Sequence, residues 1–503
     1  AELGRAAESV AAWLQSRGLK KGDRVAIMSP NVLAYPAIMF GALMAGGVVV
    51  NVNPLYTPSE LEHQINDSGA RFLFVFENFA HTAQAAWSRM KVERAIIVKP
   101  GDLMGLKGVI VNFVARYLKR MVPAYSLPGA VAFAQVLMAG AEERFNPVTV
   151  TREDIAFLQY TGGTTGIAKG AMLLHRNVLA NVMQNYLWQE TAYVKKPRPD
   201  RLVFVCALPL YHIYALTVNA LMGMSQGAQN ILIPNPRDIP GFVKELANYP
   251  VNVFPGLNTL FVALLNNPDF AKLDFRPLTL TFAGGMAAQR PMAERWLKVT
   301  GVPVSEGYGL SETSPVATAN RFDVEEFSGT IGLPVSSTEV AIRDDNGHDV
   351  PLGEVGEICI RGPQVMAGYW NRPDETKKVM TKDEFFKTGD MGIMDERGYI
   401  RIVDRKKDMI LVSGFNVYPN ELEEVVATHP GVLEVAAIGV ANEKSGEVPK
   451  LFIVRKDKTL TEKEIIDFCR KNLTPYKVPR LVEFRDELPK SPVGKILRKE
   501  LRG

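Results

Sequence analysis

Short apolar runs alternate with helix-like patterns through most of the chain. In the first hundred residues or so, the β-branched runs are Arg24–Met28, Val48–Val50, Phe72–Val75 and Ala95–Val98. The alternation returns between 150 and 310, where the runs are Leu202–Val205, Gln229–Ile233, Val251–Phe254 and Leu278–Phe282. Strands interleaved with helices are typical of parallel α/β sheets. We therefore predict an α/β protein whose large N-terminal domain contains two related α/β layers.

The pattern changes at about Gly329. From 329 to 403 the chain has short strands separated by turn signals such as Asp345-Asn346-Gly347. Closely spaced strands and turns of this kind indicate antiparallel pairing. We predict a small β-barrel-like module at the end of the large domain, which then covers residues 1–403.

Five consecutive charged residues, Asp404-Arg405-Lys406-Lys407-Asp408, follow this module. A charged run between two apolar stretches is typical of a linker, so we place a hinge at 404–408. Beyond it we predict helix Asn420–Thr428, strands Val435–Val440 and Leu451–Val454, and helix Thr461–Lys471. Residues 409–503 are thus expected to form a small α+β domain.

A loop rich in glycine and threonine joins two apolar runs that predict a β-hairpin. The runs are Ile155–Tyr160 and Ala171–Leu174, and the loop reads Thr161-Gly162-Gly163-Thr164-Thr165-Gly166-Ile167-Ala168-Lys169-Gly170. Glycines let backbone N–H groups approach an anion closely, and the hydroxyls and Lys169 add further donors. The spacing differs from that of a Walker A loop. Polyphosphate binding and an ordinary surface hairpin both stay open at this point.

Three further stretches carry polar side chains in arrangements that a scaffold does not require. They are Ser305-Glu306-Gly307-Tyr308-Gly309-Leu310-Ser311-Glu312-Thr313, Lys387-Thr388-Gly389-Asp390 and Ser491-Pro492-Val493-Gly494-Lys495. Taken singly, each has an ordinary explanation as a turn, a helix cap or a solvated surface charge.

Together with the loop, these motifs resemble the adenylate-forming superfamily of acyl-CoA synthetases, luciferase and adenylation domains. The run Arg401–Pro419 is most similar to bacterial long-chain fatty acyl-CoA synthetases. The resemblance implies ATP-dependent activation of a long-chain fatty acid to acyl-CoA through an acyl-adenylate, with release of AMP and pyrophosphate. It implies ATP, Mg²⁺ and coenzyme A as cofactor and co-substrates.

The resemblance also implies roles at matching positions. The implied catalytic residues are Lys495, Glu312, Thr164 and Thr165. The implied ATP- and AMP-binding residues are Thr161, Gly162, Gly163, Gly166, Lys169, Gly284, Gly285, Met286, Gly307, Tyr308, Gly309, Thr313, Asp390 and Arg405. Glu312 and Thr161 would hold the metal, Lys407 would be the hinge residue, and His212 and Gly414 would border the acyl and CoA pockets.

Two other functions stay open. An aryl- or amino-acid-activating enzyme would keep the adenylation and pass the acyl group to a carrier protein. An amino-acid enzyme needs an acidic group for the ammonium, and Pro209–Leu216 contains none. A catalytically inactive acyl-binding protein is the other alternative, against which the intact Lys495, Glu312, Asp390 and Arg405 argue.

Charge and cysteine content bear on the partners and the cellular compartment of the protein. The formal net charge of +4 gives no indication of a nucleic-acid partner. Three distant cysteines, Cys206, Cys359 and Cys469, fit a reducing cytoplasm. The helix-like pattern at the first residues leads us to expect that the chain begins inside a domain, with a truncated N-terminus. A homodimer stays open.

A basic amphipathic pattern covers Leu106 to Val122. Lys107, Arg116, Lys119 and Arg120 lie among its apolar residues. Such a helix can lie on the inner face of an anionic membrane, or it can be an ordinary packed surface helix. The sequence therefore leaves peripheral membrane contact open.

Overall fold

The computed structural model describes residues 1–161, 168–413, 415–442, 445–491 and 494–502. Its α-helices are α1 Glu2–Ser16, α2 Ala34–Met44, α3 Pro58–Ser68, α4 Ala80–Ala86, α5 Leu106–Phe113, α6 Phe133–Glu142, α7 His175–Gln189, α8 Met222–Ser225, α9 Ile239–Leu246, α10 Asn258–Leu265, α11 Arg290–Thr300, α12 Pro373–Val379, α13 Pro419–Ala427, α14 Glu462–Asn472 and α15 Arg498–Leu501. Among these residues, no helix combines the length and the apolar composition needed to cross a bilayer.

The first sheet has seven strands in the order β5-β4-β3-β1-β2-β6-β7. They are β1 Arg24–Met28, β2 Val48–Val52, β3 Ala70–Phe76, β4 Arg94–Val98, β5 Val131–Ala132, β6 Ile155–Thr161 and β7 Lys169–Leu174. Every residue of β2 is buried, as expected for a strand covered on both faces. Among the described strands of this sheet, only β7 is antiparallel to its neighbour, and it forms the predicted hairpin with β6.

The second sheet also has seven strands, in the order β14-β13-β12-β11-β10-β8-β9. They are β8 Val203–Cys206, β9 Gln229–Leu232, β10 Val253–Gly256, β11 Leu280–Ala283, β12 Val304–Gly309, β13 Val316–Ala319 and β14 Leu333–Pro334. The strands from β9 to β12 are parallel, whereas β13 and β14 are antiparallel. The two predicted α/β layers are therefore confirmed.

A third sheet has four antiparallel strands, β15 Glu339–Arg343, β16 Gly356–Arg361, β17 Phe386–Met394 and β18 Ile400–Arg405. The antiparallel module is confirmed. Leu333–Pro334 pairs with β13 in the second sheet, whereas the preceding Gly332 bridges to Ile400 of β18 in the third, so the residue at which the module begins stays a prediction. Its last strand also extends to Arg405, which places the first two residues of the predicted hinge in β18. The hinge itself stays a prediction.

The C-terminal part combines a five-stranded sheet with α13 to α15. Its strands are β19 Ile410–Val412, β20 Phe415–Val417, β21 Val432–Asn442, β22 Gly446–Arg455 and β23 Leu481–Arg485. Helix α14 starts where its sequence predicts, because Thr461 caps it and Glu464 completes a capping box. This smaller α+β arrangement confirms the predicted class of the C-terminal domain.

Buried amides join the two large sheets. The side chain of Asn31, just after β1, donates hydrogen bonds to the carbonyls of Cys206 (2.9 Å) and Leu208 (2.8 Å). Gln159 of β6 donates to the carbonyl of Tyr211 at 2.9 Å. These contacts lie at the carboxyl ends of the parallel strands, where ligands bind in open α/β sheets.

Trp296 of α11 anchors the helix to the second sheet. Its ring is fully buried against Phe254, Phe261 and Phe270, and its indole N–H donates to the Thr281 hydroxyl at 3.0 Å. We expect Trp296→Ala to lower the free energy of unfolding by about 3–5 kcal/mol, because it leaves a cavity and an unpaired hydroxyl. Denaturant unfolding measures this change, with the exposed Met183→Ala as the control. A loss below about 1 kcal/mol would contradict the anchoring role.

Candidate active site

Lys169 lies at the end of the predicted phosphate loop, where β7 begins. It pairs across the hairpin with Thr161, the last residue of β6. Its ammonium group forms an ion pair with Glu375 of α12 and lies 5.2 Å from the centre of the Tyr369 ring. The other predicted loop residues, Gly162, Gly163, Thr164, Thr165 and Gly166, lie outside the described residues.

The segment 366–370 covers the outer edge of β7. The Met172 N–H donates to the carbonyl of Gly368 at 2.9 Å, and the Ala367 N–H donates to the carbonyl of Met172 at 3.0 Å. This pairing places the Tyr369 hydroxyl 2.8 Å from Oε1 of Glu312, to which it donates. Tyr369 therefore contacts both Lys169 and Glu312. Sequence reasoning missed Tyr369. The only signal in the sequence is an aromatic residue between a glycine and a tryptophan, Gly368-Tyr369-Trp370, and this pattern indicates no function by itself.

Glu312 lies in a 3₁₀ turn, Ser311–Thr313, directly after β12. It is buried, and desolvation raises the pKa of its carboxyl while the Tyr369 hydroxyl opposes that shift. A buried carboxylate is stabilised when a cation lies beside it. Mg²⁺ prefers oxygen ligands and is usually held by one or two carboxylates together with substrate phosphates. Glu312 fits such a cation, and β6, which ends at Thr161, packs against the turn that carries it.

The described residues contain no group of three or more His, Cys, Asp or Glu that could hold a metal ion. A cation at Glu312 would take its remaining oxygen ligands from water or from a bound phosphate, as Mg²⁺ that arrives with a nucleotide does.

Tyr308, Asp390 and Arg405 come together from three strands. The Tyr308 hydroxyl donates to Oδ2 of Asp390 at 2.6 Å. Arg405 lies opposite Asp390 in the β17–β18 pairing, and its Nε is 3.2 Å from Oδ1. Burial and the Asp390 charge both raise the pKa of Tyr308 above its ordinary value. The hydroxyl therefore stays protonated and continues to donate to the carboxylate.

Gly307 and Gly309 flank Tyr308 for packing reasons. A Cβ at Gly307 would lie 2.3 Å from the Phe282 ring, and one at Gly309 would lie 1.8 Å from the Pro315 carbonyl. Thr313 is fully buried and accepts a hydrogen bond from the Leu310 N–H at 2.9 Å. These neighbours hold the turn that carries Glu312.

Gly284, Gly285 and Met286 follow the end of β11. Gly284 faces the Tyr214 ring, where a Cβ would come within 3.2 Å, and Gly285 has a φ of +80°. The Tyr214 hydroxyl donates to the carbonyl of Phe282 at 2.8 Å. The loop that contains His212 is thereby fixed against this strand end.

Lys495 of the C-terminal segment reaches the site near His212. The turn is held by the Ser491 N–H, which donates to the Lys495 carbonyl at 2.7 Å, and by the Thr259 hydroxyl, which donates to the Gly494 carbonyl at 3.3 Å. The Lys495 side chain keeps partial solvent contact, yet surrounding protein atoms desolvate its ammonium group and lower its pKa to about 8.

His212 is neutral in this setting. Burial, and then the charge of Lys495, lower the pKa of its imidazole to about 4. The Tyr214 N–H lies 3.3 Å from Nδ1 of His212 and donates to it. A neutral imidazole that accepts at Nδ1 carries its proton on Nε2. His212 can therefore donate one hydrogen bond from Nε2.

Arg498, which sequence reasoning missed, links the C-terminal segment to the third sheet. Its guanidinium contacts Asp404 (3.1 Å) and Glu423 (2.7 Å). Burial raises the pKa of Asp404 to about 6 in spite of this arginine. Lys407 is exposed beside this cluster, with a pKa lowered by partial desolvation. Gly414, the predicted CoA-side residue, lies outside the described residues.

Residues 1–370 match the model of the AMP-binding enzyme family, and residues 421–495 match the model of the AMP-binding enzyme C-terminal domain. The chain belongs to this family. The AMP-binding enzyme described here therefore uses ATP to activate a carboxylate, as its family does.

Relatives and structures agree with this assignment. The chain is 56% identical to a long-chain-fatty-acid–CoA ligase of Escherichia coli O6:H1, over 100% of this chain and 89% of the relative. It is 50% identical to the Haemophilus influenzae protein of that name, with the same coverage. ATP-bound MatB from Rhodopseudomonas palustris superposes with a TM-score of 0.85 at 28% identity, over 100% of this chain and 92% of MatB.

Glu375 opposes the charge with which Lys169 would meet ATP. Substitution Glu375→Gln removes this ion pair, so we expect the Kd of MgATP to fall by up to about fivefold, the range for exposed pairs. Calorimetric titration of MgATP measures the change. Asp374→Asn, on the same helix and without contact to Lys169, is the matched control. Weaker MgATP binding by the Glu375 variant alone would mean that Glu375 positions Lys169 productively.

Proposed function

We propose that this AMP-binding enzyme is a long-chain fatty acid:CoA ligase of the AMP-forming type. It would join a fatty acid to ATP, release pyrophosphate, and pass the acyl group to coenzyme A with release of AMP. The 50–56% identity to proteins named for that reaction supports this assignment. The site residues below are proposed for the roles that their geometry favours.

The position of Lys495 carries the proposal. This lysine belongs to the C-terminal segment, yet its charge lowers the pKa of His212, and the charge of Asp390 acts in turn on the pKa of Lys495. A cation held between Asp390 and the His212 loop is suited to stabilise the negative charge that develops there during the reaction. A scaffold gains nothing from desolvating this ammonium group.

In the first half-reaction, a carboxylate oxygen of the fatty acid attacks the α-phosphorus of ATP, and the bond to the pyrophosphate oxygen breaks. Asp390 would accept hydrogen bonds from the ribose hydroxyls, since each carboxylate oxygen can accept a second bond beside those from Tyr308 and Arg405. Lys169 and the loop before it would hold the β- and γ-phosphates. Lys495 and the Nε2–H of His212 would face the acyl carboxylate and the α-phosphate.

Mg²⁺ bound at Glu312 and Thr161 would neutralise phosphate charge. Glu312 holds its place through the Tyr369 hydroxyl. Since Tyr369 also faces Lys169, this ring aligns the two groups that would meet the phosphates. The ion pair between Glu375 and Lys169 must break when the nucleotide binds, so that Lys169 can contact the phosphates.

In the second half-reaction, the CoA thiolate attacks the acyl carbon and AMP leaves. We propose that the small domain turns about Lys407 between the two steps, which withdraws Lys495 and brings the region of Gly414 to the site. Such hinge motions are common in multistep enzymes. The domain boundary at 404–408 is part of this proposal.

The acyl tail requires an apolar site. A small cavity against the second sheet is lined mainly by apolar side chains, including Val218, Met222, Phe282 and Phe322. The Phe282 carbonyl accepts the Tyr214 hydroxyl, so this cavity adjoins the loop of His212. We propose that the alkyl chain extends in this direction. All three cysteines are buried and unpaired, which supports a cytoplasmic location.

Pyrophosphate release tests the proposed reaction. We expect release that depends on palmitate and turns over only with CoA, with smaller rates for octanoate and none for acetate, benzoate or mixed amino acids. The reason is that the tail adds apolar burial of about 0.8 kcal/mol per CH₂. Release with benzoate or amino acids but not palmitate would overturn the substrate. No release with any acid would favour an inactive acyl-binding protein.

Substitution of Lys495 separates the two half-reactions. We expect Lys495→Ala to slow adenylate formation by at least about 10²-fold while sparing thioester formation from supplied acyl-adenylate. Because burial lowers the pKa of Lys495 to about 8, the protonated form is lost as the pH rises through that value. The kcat/KM for adenylate formation should therefore fall above pH 8 in the wild type.

Lys499→Ala, at an exposed neighbour, is the control for these measurements. Equal loss of both half-reactions in the Lys495 variant would refute the assigned role, and so would an alkaline decline that persists unchanged in that variant.

A further inference from the structure

A ridge of large apolar side chains projects from the helix that follows β4. The helix comprises α5 and a π-helical turn, Val114–Leu118, that continues it. The apolar ridge, as we call it, consists of Leu106, Val109, Ile110, Phe113, Tyr117, Leu118 and Met121. Exposure within it ranges from 53% for Met121 to 88% for Leu106. A surface helix normally turns such residues toward the core.

The inward face of the same helix carries small residues instead. Gly108 and Ala115 are its buried positions. A Cβ at Gly108 would lie 1.9 Å from the carbonyl oxygen of Gly101, so the helix rests on the backbone of the preceding turn. No large side chain fits beneath it. The apolar ridge therefore faces outward for a steric reason.

Polar contacts fix this orientation at both ends. The Gly101 N–H donates to Oδ1 of Asn112 at 2.8 Å. Arg116 forms an ion pair at 3.2 Å with the buried Glu77, and the Asn78 amide donates to the Met121 carbonyl at 3.0 Å. The helix cannot roll its ridge into the core without breaking these bonds.

The charges around the ridge have one sign. Lys107, Lys119 and Arg120 are exposed, and none of them forms an ion pair with a described residue. The sequence contains no acidic residue from Leu103 to Ala141. The nearest acid before the ridge, Asp102, is partly buried and accepts the Lys99 N–H at 2.7 Å. The surface is therefore both apolar and positive.

An anionic lipid surface complements both properties. Apolar side chains can enter the boundary between headgroups and acyl chains, while bases meet the headgroup phosphates. A second copy of the chain would complement only one of them. A two-fold contact places the same patch on both subunits, so the exposed bases would face their own counterparts.

We propose that the apolar ridge docks this enzyme onto anionic membranes. The docking is peripheral, because the helix is short and lies along the surface. It goes beyond the proposed ligase reaction and does not depend on it. If the reaction is as proposed, docking also places the enzyme at the surface in which long-chain acids partition.

Vesicle flotation of the full chain tests this docking. The wild type should bind vesicles of phosphatidylcholine with phosphatidylglycerol and bind pure phosphatidylcholine at least tenfold more weakly. The double substitution Ile110→Glu with Phe113→Glu should reduce binding to the anionic vesicles at least tenfold. Lys107→Glu with Lys119→Glu should do the same and should remove most of the salt dependence.

Two variants are matched controls for the flotation. Met183→Glu changes an apolar residue of α7 that is 57% exposed, and Lys298→Glu changes an exposed base of α11. Both should bind as the wild type does. Pyrophosphate release with the soluble acid octanoate should be unchanged in all variants, which separates a failure of docking from a failure of the proposed reaction.

Three outcomes would overturn the docking. The first is a wild type that does not float with anionic vesicles. The second is undiminished binding by the ridge variants, or an equal loss in Met183→Glu. The third is a ridge variant that changes only the mass in sedimentation equilibrium, since this result would assign the ridge to a second copy of the chain.

Discussion

The place of Lys495 depends on a cluster of buried charges around Arg498. Asp404 is completely buried, and its carboxylate meets Arg498 at 3.1 Å and the Asn420 N–H at 2.7 Å. Removing one partner from such a cluster leaves an uncompensated charge, which is more costly than losing the contact. The C-terminal segment is therefore held against β18 at Arg498. Three residues before it, Lys495 is held over the crevice.

The crevice itself is built from chain segments that are far apart in sequence. β12 supplies Tyr308, the hairpin of the third sheet supplies Asp390 and Arg405, and the turn after β12 supplies Glu312. Tyr308 and Arg405 pair with Asp390, and Glu312 accepts from Tyr369, so these four groups are satisfied within the site. Charge and hydrogen-bond complementarity thus assemble the site before any ligand enters.

Much of this architecture could be predicted from the chain. The buried run at Val48–Val52 and the capping box at Thr461 specify their elements locally. Glu312, in the turn after β12, and Asp390, within β17, were predicted as site residues because the motifs that carry them are rare. The assignments that rest on the family resemblance needed several motifs together, because no single residue distinguishes a ligand-binding group from a surface charge.

Other features depend on tertiary contacts that sequence patterns do not encode. Leu333–Pro334 pairs with the free edge of β13 in the second sheet. Its sequence pattern of short strands and turns is the same as that of the third sheet, so the pattern alone does not indicate which sheet it joins. Asp404 and Arg405 were predicted to be charged linker residues. In the structure both belong to β18 and pair with β17, and Asp404 also forms a buried ion pair with Arg498. Glu375 matters only because α12 is folded back toward β7.

Tyr369 connects the effects of substitutions at two positions of this site. Its hydroxyl donates to Glu312, and its ring lies against the ammonium group of Lys169. The free energies of substitutions at Lys169 and Glu312 are therefore not additive, because each substitution alters the support of the other through the same ring. Lys169 and Glu312 thus form one thermodynamic unit. The tyrosine that joins them lies two hundred residues beyond Lys169 in the chain.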